Sequence, residues 1–329
     1  MGKVYYDQDG HIEAIQDKVI AIIGYGNQGR SQALNMRDSG AKHIIVGSIH
    51  DESWNTANAD GFPTYSIAEA SKKADIVFLL LPDEVAPEIY ERDIAPNLHP
   101  GAALNFASGY NITYGFIKPA ADLDVIMVAP KSPATEERKA FLAGFGVPGL
   151  IAVKQDATGH AAKTALAMAK AMGFTRAGVL ECTFEQETYE DLFGEQNVLC
   201  GGCVDLMKYG FEVLVEAGYP PEMAYFECIH ELKLIVDLIY EGGIQKMNAV
   251  ISNTAEFGEY YNGPKIITPD VKEKMKESLK RIESGEFAKT FLAEIANGSP
   301  ELLGKRKALG DHIAEVTGRK IRSLFERKA

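Results

Sequence analysis

Val19-Ile20-Ala21-Ile22-Ile23 runs straight into Gly24-Tyr25-Gly26-Asn27-Gln28-Gly29, and a helical pattern continues through Met36. Five apolar residues in a row, four of them β-branched, read as a strand buried on both faces of a parallel sheet. A GxGxxG alone is a weak signal. Here a strand precedes it, a helix follows, and a second strand begins about twenty residues on. In that setting Gly24 permits the tight turn, Gly26 lets the backbone approach a pyrophosphate, and Gly29 lets helix and strand pack closely. The helix N-terminus adds oriented N–H groups for the anion. Gly24, Tyr25, Gly26, Asn27, Gln28 and Gly29 therefore read as a dinucleotide-binding loop.

Outward from this loop, residues 18–180 alternate short β-rich runs with helical patterns, the signature of a parallel sheet with crossover helices. Strands are expected at Val19–Ile23, 43–46, 76–81, Ala103–Phe106, 124–127 and 149–153. The loop after the second strand, Ser48-Ile49-His50-Asp51-Glu52-Ser53-Trp54, meets the adenosine ribose in such a fold. It holds two acids and no Lys or Arg. A 2′-phosphate carries about two negative charges, which Asp51 and Glu52 would repel. NADH is therefore expected over NADPH, with Ser48, Asp51 and Ser53 as cofactor contacts. The alternative turns both acids to solvent and lets Ser48, His50 and Ser53 hold a phosphate. Ligands in open parallel sheets sit beyond the carboxyl ends of the strands. That rule points to Pro82 and Asp83, to Ala107-Ser108-Gly109-Tyr110-Asn111, and to Lys131, for which a solvated surface position is the competing reading.

The chain has 329 residues, enough for about two domains. Its 34 basic against 46 acidic residues leave a net charge of −12, which excludes nucleic acid as a general partner, since phosphate binding needs a basic footprint. No stretch approaches a membrane span and the N-terminus has no apolar signal core, so a soluble, cytoplasmic protein is expected. The four cysteines, Cys182, Cys200, Cys203 and Cys228, lie amid apolar sequence. They read as buried free thiols rather than a zinc or redox set.

After about residue 182 the β-rich runs stop and long helical patterns take over. Two pairs of acids stand out there: Asp191 and Glu195, and Glu227 and Glu231. A spacing of four sets both carboxylates of a pair on one helix face, where like charges repel. Apolar neighbours (Leu192, Phe193, Val198, Leu199; Phe226, Ile229, Leu232, Leu234) suggest burial, and buried carboxylates need compensation. Oxygen ligands without a His or Cys cluster select a hard cation such as Mg²⁺. The competing reading is a pair of solvated faces, or acids paired with bases such as Lys233. The apolar stretches at 198–217 and 226–240 exceed what a small helical domain buries, so an obligate homo-oligomer is expected.

GYGNQGRSQALNMRDSG, DVIMVAPK, ETYEDLFGEQNVLCGG, AYFECIHELKLIVDLIYEGG and ISNTAEFGEYYNGP together resemble ketol-acid reductoisomerase of the short, class I form, over essentially the whole chain. The resemblance implies an α/β Rossmann-like N-terminal domain, residues 1–182, plus an all-α knotted C-terminal domain, residues 183–329, shared across a dimer. It implies Mg²⁺-dependent alkyl migration in 2-acetolactate or 2-aceto-2-hydroxybutyrate, then NAD(P)H reduction to the 2,3-dihydroxy acid, on the path to valine and isoleucine. Asp191, Glu195, Glu227 and Glu231 would hold two Mg²⁺ per site, the latter two reaching in from the partner subunit. Ser252 matches the substrate-carboxylate contact, and Lys131 and Asp83 match pocket positions. Glu195 or Glu231 could also move protons.

Two departures matter. The family's FxHGxxI pattern appears as Phe106-Ala107-Ser108-Gly109-Tyr110-Asn111-Ile112, so Ser108 stands where a pocket histidine is expected. The family's PKGPGH pattern loses a second histidine at Thr135. A hydroxyl can hydrogen-bond but cannot carry a proton near pH 7 as imidazole does. The alternatives are therefore a family-derived 2-keto acid reductase without isomerisation, or a non-catalytic NADH-binding regulator.

Overall fold

Ile20, Ala21, Ile22 and Ile23 are all fully buried, as a strand covered on both faces requires. Around them the computed structural model, which describes residues 2–325, builds a nine-stranded sheet. In chain order the strands are β1 (Val4–Tyr5), β2 (Val19–Ile23), β3 (His43–Gly47), β4 (Thr64–Tyr65), β5 (Ile76–Leu79), β6 (Ala103–Phe106), β7 (Asp124–Pro130), β8 (Gly149–Gln155) and β9 (Val179–Glu181). In space they run β1-β9-β8-β7-β6-β5-β2-β3-β4. The helices between them are α1 (Asn27–Asp38), α2 (Glu52–Ala59), α3 (Ile67–Lys73), α4 (Ala86–Ile89), α5 (Tyr110–Thr113), α6 (Ala134–Leu142) and α7 (Ala161–Ala171).

The stretch from β4 to β7 is parallel throughout. Beyond it the sheet is mixed, which corrects the all-parallel expectation. β8 runs antiparallel to β7, and the two-residue β1 runs antiparallel to β9. The expected strand at 76–81 stops at Leu79, so Leu80 and Leu81 already belong to the loop at its carboxyl end. Period-two alternation splits the core. Ile20 and Ile22 join Met36 of α1 and Met168 of α7 on one face, while Ala21 and Ile23 join Leu104 and Val125 on the other. Each such isoleucine contributes roughly 1.5–3 kcal/mol through burial.

Past β9 the chain is helical: α8 (Phe184–Gly194), α9 (Gly201–Glu216), α10 (Pro221–Tyr225), α11 (Leu232–Val250), α12 (Asn253–Ile266), α13 (Pro269–Glu283), α14 (Glu286–Ala296), α15 (Pro300–Asp311) and α16 (Ile313–Phe325). π-helical turns at Glu195–Leu199 and Phe226–His230 interrupt the α pattern, and α11 is kinked at Gly242 and Gly243. Contacts divide the chain into two compact units, Met1–Glu190 and Asp191–Ala329. The second has a small core of Phe211, Ala224, Tyr225, Ala314 and Ile321. Much of its remaining apolar surface is open, with Leu199 71% and Tyr240 85% exposed. Burial of the thiols is also corrected: all four cysteines are free, but Cys200 is exposed and the others are half-buried. No helix among the described residues is long and apolar enough to cross a membrane.

Candidate active site

In the first unit, the loop from β2 into α1 borders a cleft of about 680 Å³. Gly24 to Gly29 form one wall, with Ser48, Asp51, Ser53 and Pro82 around it. At Gly29 a Cβ would stand 2.0 Å from the Gly24 carbonyl oxygen, so only glycine lets α1 start this close to the strand. The first-turn amides of α1 have no carbonyl four residues back within the helix and remain available for an anion. These features fit the pyrophosphate of a dinucleotide.

The loop between β3 and α2 uses its acids unequally. Asp51 is the N-cap of α2, its Oδ1 accepting from the Trp54 amide at 3.1 Å. Capping fixes the carboxylate at the helix start, where it also lines the cleft. Glu52, His50 and Trp54 are not among the lining residues, and the His50 and Trp54 rings lie against each other, tilted by 33°, with centroids 3.9 Å apart.

A second cavity, about 260 Å³, shares Gln28, Leu80, Leu81 and Pro82 with the first and adds Asp83, Ser108 and Asn111. The Asn111 amide donates to Asp83 at 3.2 Å, while its carbonyl oxygen is buried without a hydrogen-bond partner. An unpaired buried acceptor of this kind is what a bound hydroxyl would satisfy. The Ser108 hydroxyl accepts from the Tyr110 amide at 3.4 Å.

Lys131, at the carboxyl end of β7, is paired rather than simply solvated. Its Nζ lies 3.4 Å from Oε1 of Glu187, whose side chain is 2% exposed. The other oxygen of Glu187 accepts from the Gly109 amide at 2.7 Å. One buried carboxylate thus ties Lys131 to the loop that carries Ser108. Sequence reasoning misses Glu187, which stands among several acids of α8. The available signal is its sharing of a buried face with Phe184, three residues back. Burial first, and then the Glu187 charge, push the nearby Cys182 thiol up to about 11, which keeps it protonated and inert.

In the second unit all four acids, Asp191, Glu195, Glu227 and Glu231, carry exposed surface within one chain. The expected burial is corrected: of the neighbouring apolar side chains, Val198, Leu199 and Leu234 are exposed and the rest are half-buried. Lys233 pairs with Asp237 at 2.5 Å. Surrounding protein first, and the Asp191 charge second, raise the Glu195 carboxyl above its ordinary range. Two carboxylates four residues apart on one helix face, with oxygen donors throughout, fit a hard divalent cation. Among the described residues no three metal-ligating side chains come together, so one chain presents the acids as separate pairs. The backbone around them is distinctive. Cys200 N donates to Glu195 O and Glu231 N to Phe226 O, each at 3.0 Å and five residues back. Such π turns widen a helix locally and recur at functional sites. Ser252 caps α12, its Oγ accepting from the Ala255 amide at 3.2 Å, and is exposed.

Comparison with known proteins gives a consistent pattern. Residues 14–178 match the family model described as acetohydroxy acid isomeroreductase, NADPH-binding domain, and residues 184–327 match ketol-acid reductoisomerase, C-terminal domain. The chain is 63% identical over 324 residues to a ketol-acid reductoisomerase (NADP(+)) of Akkermansia muciniphila, covering 98% of this chain and 99% of that one. It is 57% identical over 331 residues to a ketol-acid reductoisomerase (NAD(+)) of the uncultured archaeon GZfos26G2, covering 99% and 100%. A solved NADH-preferring ketol-acid reductoisomerase from an uncultured archaeon superposes with a TM-score of 0.96 at 56% identity, over 99% of this chain and 100% of that one.

Proposed function

The chain belongs to the ketol-acid reductoisomerase family, and from that premise we propose that it converts 2-acetolactate or 2-aceto-2-hydroxybutyrate to the dihydroxy acid with Mg²⁺ and NADH. It is an NAD(P)-dependent oxidoreductase acting on a small molecule. The observation that carries it is the occurrence of the cleft on the Gly24–Gly29 loop and the two acid pairs in one chain.

Asp191, Glu195, Glu227 and Glu231 would hold two Mg²⁺, which supply Lewis-acid polarisation of the substrate's oxygens. Exposure of all four acids, and of the apolar helices beside them, favours completion of the site by a second copy. The proposed assembly is an obligate dimer or larger homo-oligomer, with Glu227 and Glu231 reaching in from the partner. The proposed division is a nucleotide domain at 1–182 and a knotted helical domain at 183–329, in a cytoplasmic protein.

Lys131, held by the buried Glu187, would place a positive charge against developing negative charge on the substrate. Asp83 and Ser108 line the cavity where the nicotinamide end of the cofactor would lie, and Ser252 would meet the substrate carboxylate. Glu195, whose carboxyl is raised above its ordinary range by the surrounding protein and then by the Asp191 charge, would accept and return a proton. The Asp51 carboxylate capping α2 in the cleft favours NADH, because it would stand against a 2′-phosphate. The relatives bear both cofactor names, so residue chemistry rather than kinship carries this preference.

Ser108 favours one second reading. With a hydroxyl where class I enzymes have a histidine, reduction could proceed without migration. The deciding experiment measures turnover of 2-acetolactate and of 3-hydroxy-3-methyl-2-ketobutyrate, the migrated intermediate, with NADH and NADPH, with and without Mg²⁺. Mg²⁺-dependent turnover of both supports the isomeroreductase. Reduction of the intermediate alone establishes the reductase, and no turnover of either leaves the regulator.

A further inference from the structure

Asp60, at the end of α2, is the meeting point of side chains from the glycine loop and from both ends of α1. The Tyr25 hydroxyl, from the middle of the glycine loop, donates to Oδ2 at 2.9 Å. Arg30, in the first turn of α1, donates from Nε to Oδ2 at 2.7 Å and from Nη2 to Oδ1 at 3.0 Å. Arg37, in the last turn of α1, donates to the Asp60 carbonyl oxygen at 2.6 Å. Phe62 completes the turn, its ring edge-on to Tyr25 at 5.8 Å and beneath the Arg37 guanidinium at 4.9 Å.

Two features set this apart from an ordinary surface pair. The arginine contact is bidentate, the geometry that fixes orientation as well as distance. Tyr25 is 3% exposed, so its ring cannot move aside without opening the core. The Arg30 guanidinium, first, holds the Asp60 carboxyl below its ordinary range.

α2 is eight residues, roughly 12 Å long. Its first turn carries Asp51 and Ser53 into the cleft; its last turn is pinned at Asp60 to the glycine loop. We infer that Asp60 is a positioning residue for the dinucleotide, fixing the ribose-side loop against the pyrophosphate loop through Tyr25 and Arg30. Neither function of the cleft alone requires this: the glycine loop would bind phosphate, and α2 would be capped, with Asp60 absent. The inference rests on the nicotinamide-cofactor reading of the cleft and not on which acetohydroxy acid is turned over.

Trp54, the single tryptophan of the chain, lies next to Ser53 and offers a direct binding signal, energy transfer to bound NADH. Asp60→Asn removes the bidentate partner. Arg30→Gln removes the same contact from a half-exposed side chain, and serves if the first variant fails to fold. Ser66→Ala breaks the capping box of α3 and reports what loss of stability alone does to binding. Asp60→Asn and Arg30→Gln should each raise Kd and KM for NADH about tenfold, with kcat within about twofold. Ser66→Ala should lower Tm and leave Kd within about twofold. An unchanged Kd in the Asp60 and Arg30 variants, or an equal rise in Ser66→Ala, overturns the assignment. If wild-type chain binds NADH but turns over no acetohydroxy acid, the functional proposal fails while this test still reads out.

Discussion

Glu187 shows how one side chain can serve two loops. Its two oxygens face Lys131 and the Gly109 amide, and at 2% exposure there is no water to replace either partner. Glu187→Gln keeps an acceptor for Gly109 but removes the charge that orients Lys131. Turnover should fall at least tenfold while the Kd for NADH stays within about twofold; unaltered turnover would mean that Lys131 is placed by other contacts. Glu137 on α6 is a different case. Its carboxylate is buried, accepting from Asn35 through Oε1 at 3.2 Å while Oε2 has no hydrogen-bond partner. Burial pushes its pKa up to about 8 from an ordinary 4.5. The folded state therefore binds the extra proton between those values, so its contribution is complete below pH 4.5 and disappears as pH rises to 8, on the order of 3–5 kcal/mol in all. Glu137→Gln should flatten that slope in denaturant melts and raise Tm above pH 8. An unchanged slope would show that Glu137 stays charged in the fold. The two residues also mark a limit of legibility. In the sequence both are acids among acids, since pairing with Lys131 and Gly109, or with Asn35, joins positions 56 to 102 residues apart.

At the scale of elements, the proposed NADH preference rests on the junction of β3 and α2, through a residue with two duties. Asp51 caps the helix and charges the cleft. Asp51→Asn separates these, because asparagine caps as well as aspartate but is neutral. Discrimination against NADPH, as a ratio of kcat/KM values, should drop about five- to tenfold with Tm unchanged. Asp51→Ala should add a stability loss of about 1 kcal/mol. A ratio unmoved in both variants would leave the preference to other groups. What the sequence shows of such elements follows from their burial. Val19–Ile23 stands out because a strand buried on both faces is an unbroken apolar run. β1, β4 and β9 are two or three residues long and half-exposed in part, too short for any periodicity. The reversal of β8 leaves no mark either, because an apolar run reads alike in both directions. The acid pairs are legible by spacing, whereas the π turns beside them are not, since nothing in a side-chain pattern announces a hydrogen bond to the fifth residue back.

For the whole molecule, the second unit has more apolar surface than core, and its acid pairs are exposed and unassembled within one chain. A symmetric dimer resolves both conditions if each site draws Asp191 and Glu195 from one chain and Glu227 and Glu231 from the other. That arrangement makes a sharp prediction, because damage on opposite sides of the site can be sorted into different positions. Glu195→Gln and Glu231→Gln homodimers each carry the lesion in every site, so both should lose Mg²⁺-dependent turnover of 2-acetolactate while retaining NADH binding. When the two chains are co-expressed, a mixed dimer places both lesions in one site and leaves the other with four native carboxylates. Random assortment makes about half of the dimers mixed, each with one sound site of two, so about a quarter of wild-type activity should return. If each site draws all four acids from one chain, every site in the mixture carries a lesion and no activity returns. Recovery in the mixed preparation but not on combining the separately purified homodimers would show in addition that the chains exchange slowly, as an interface of this apolar character requires.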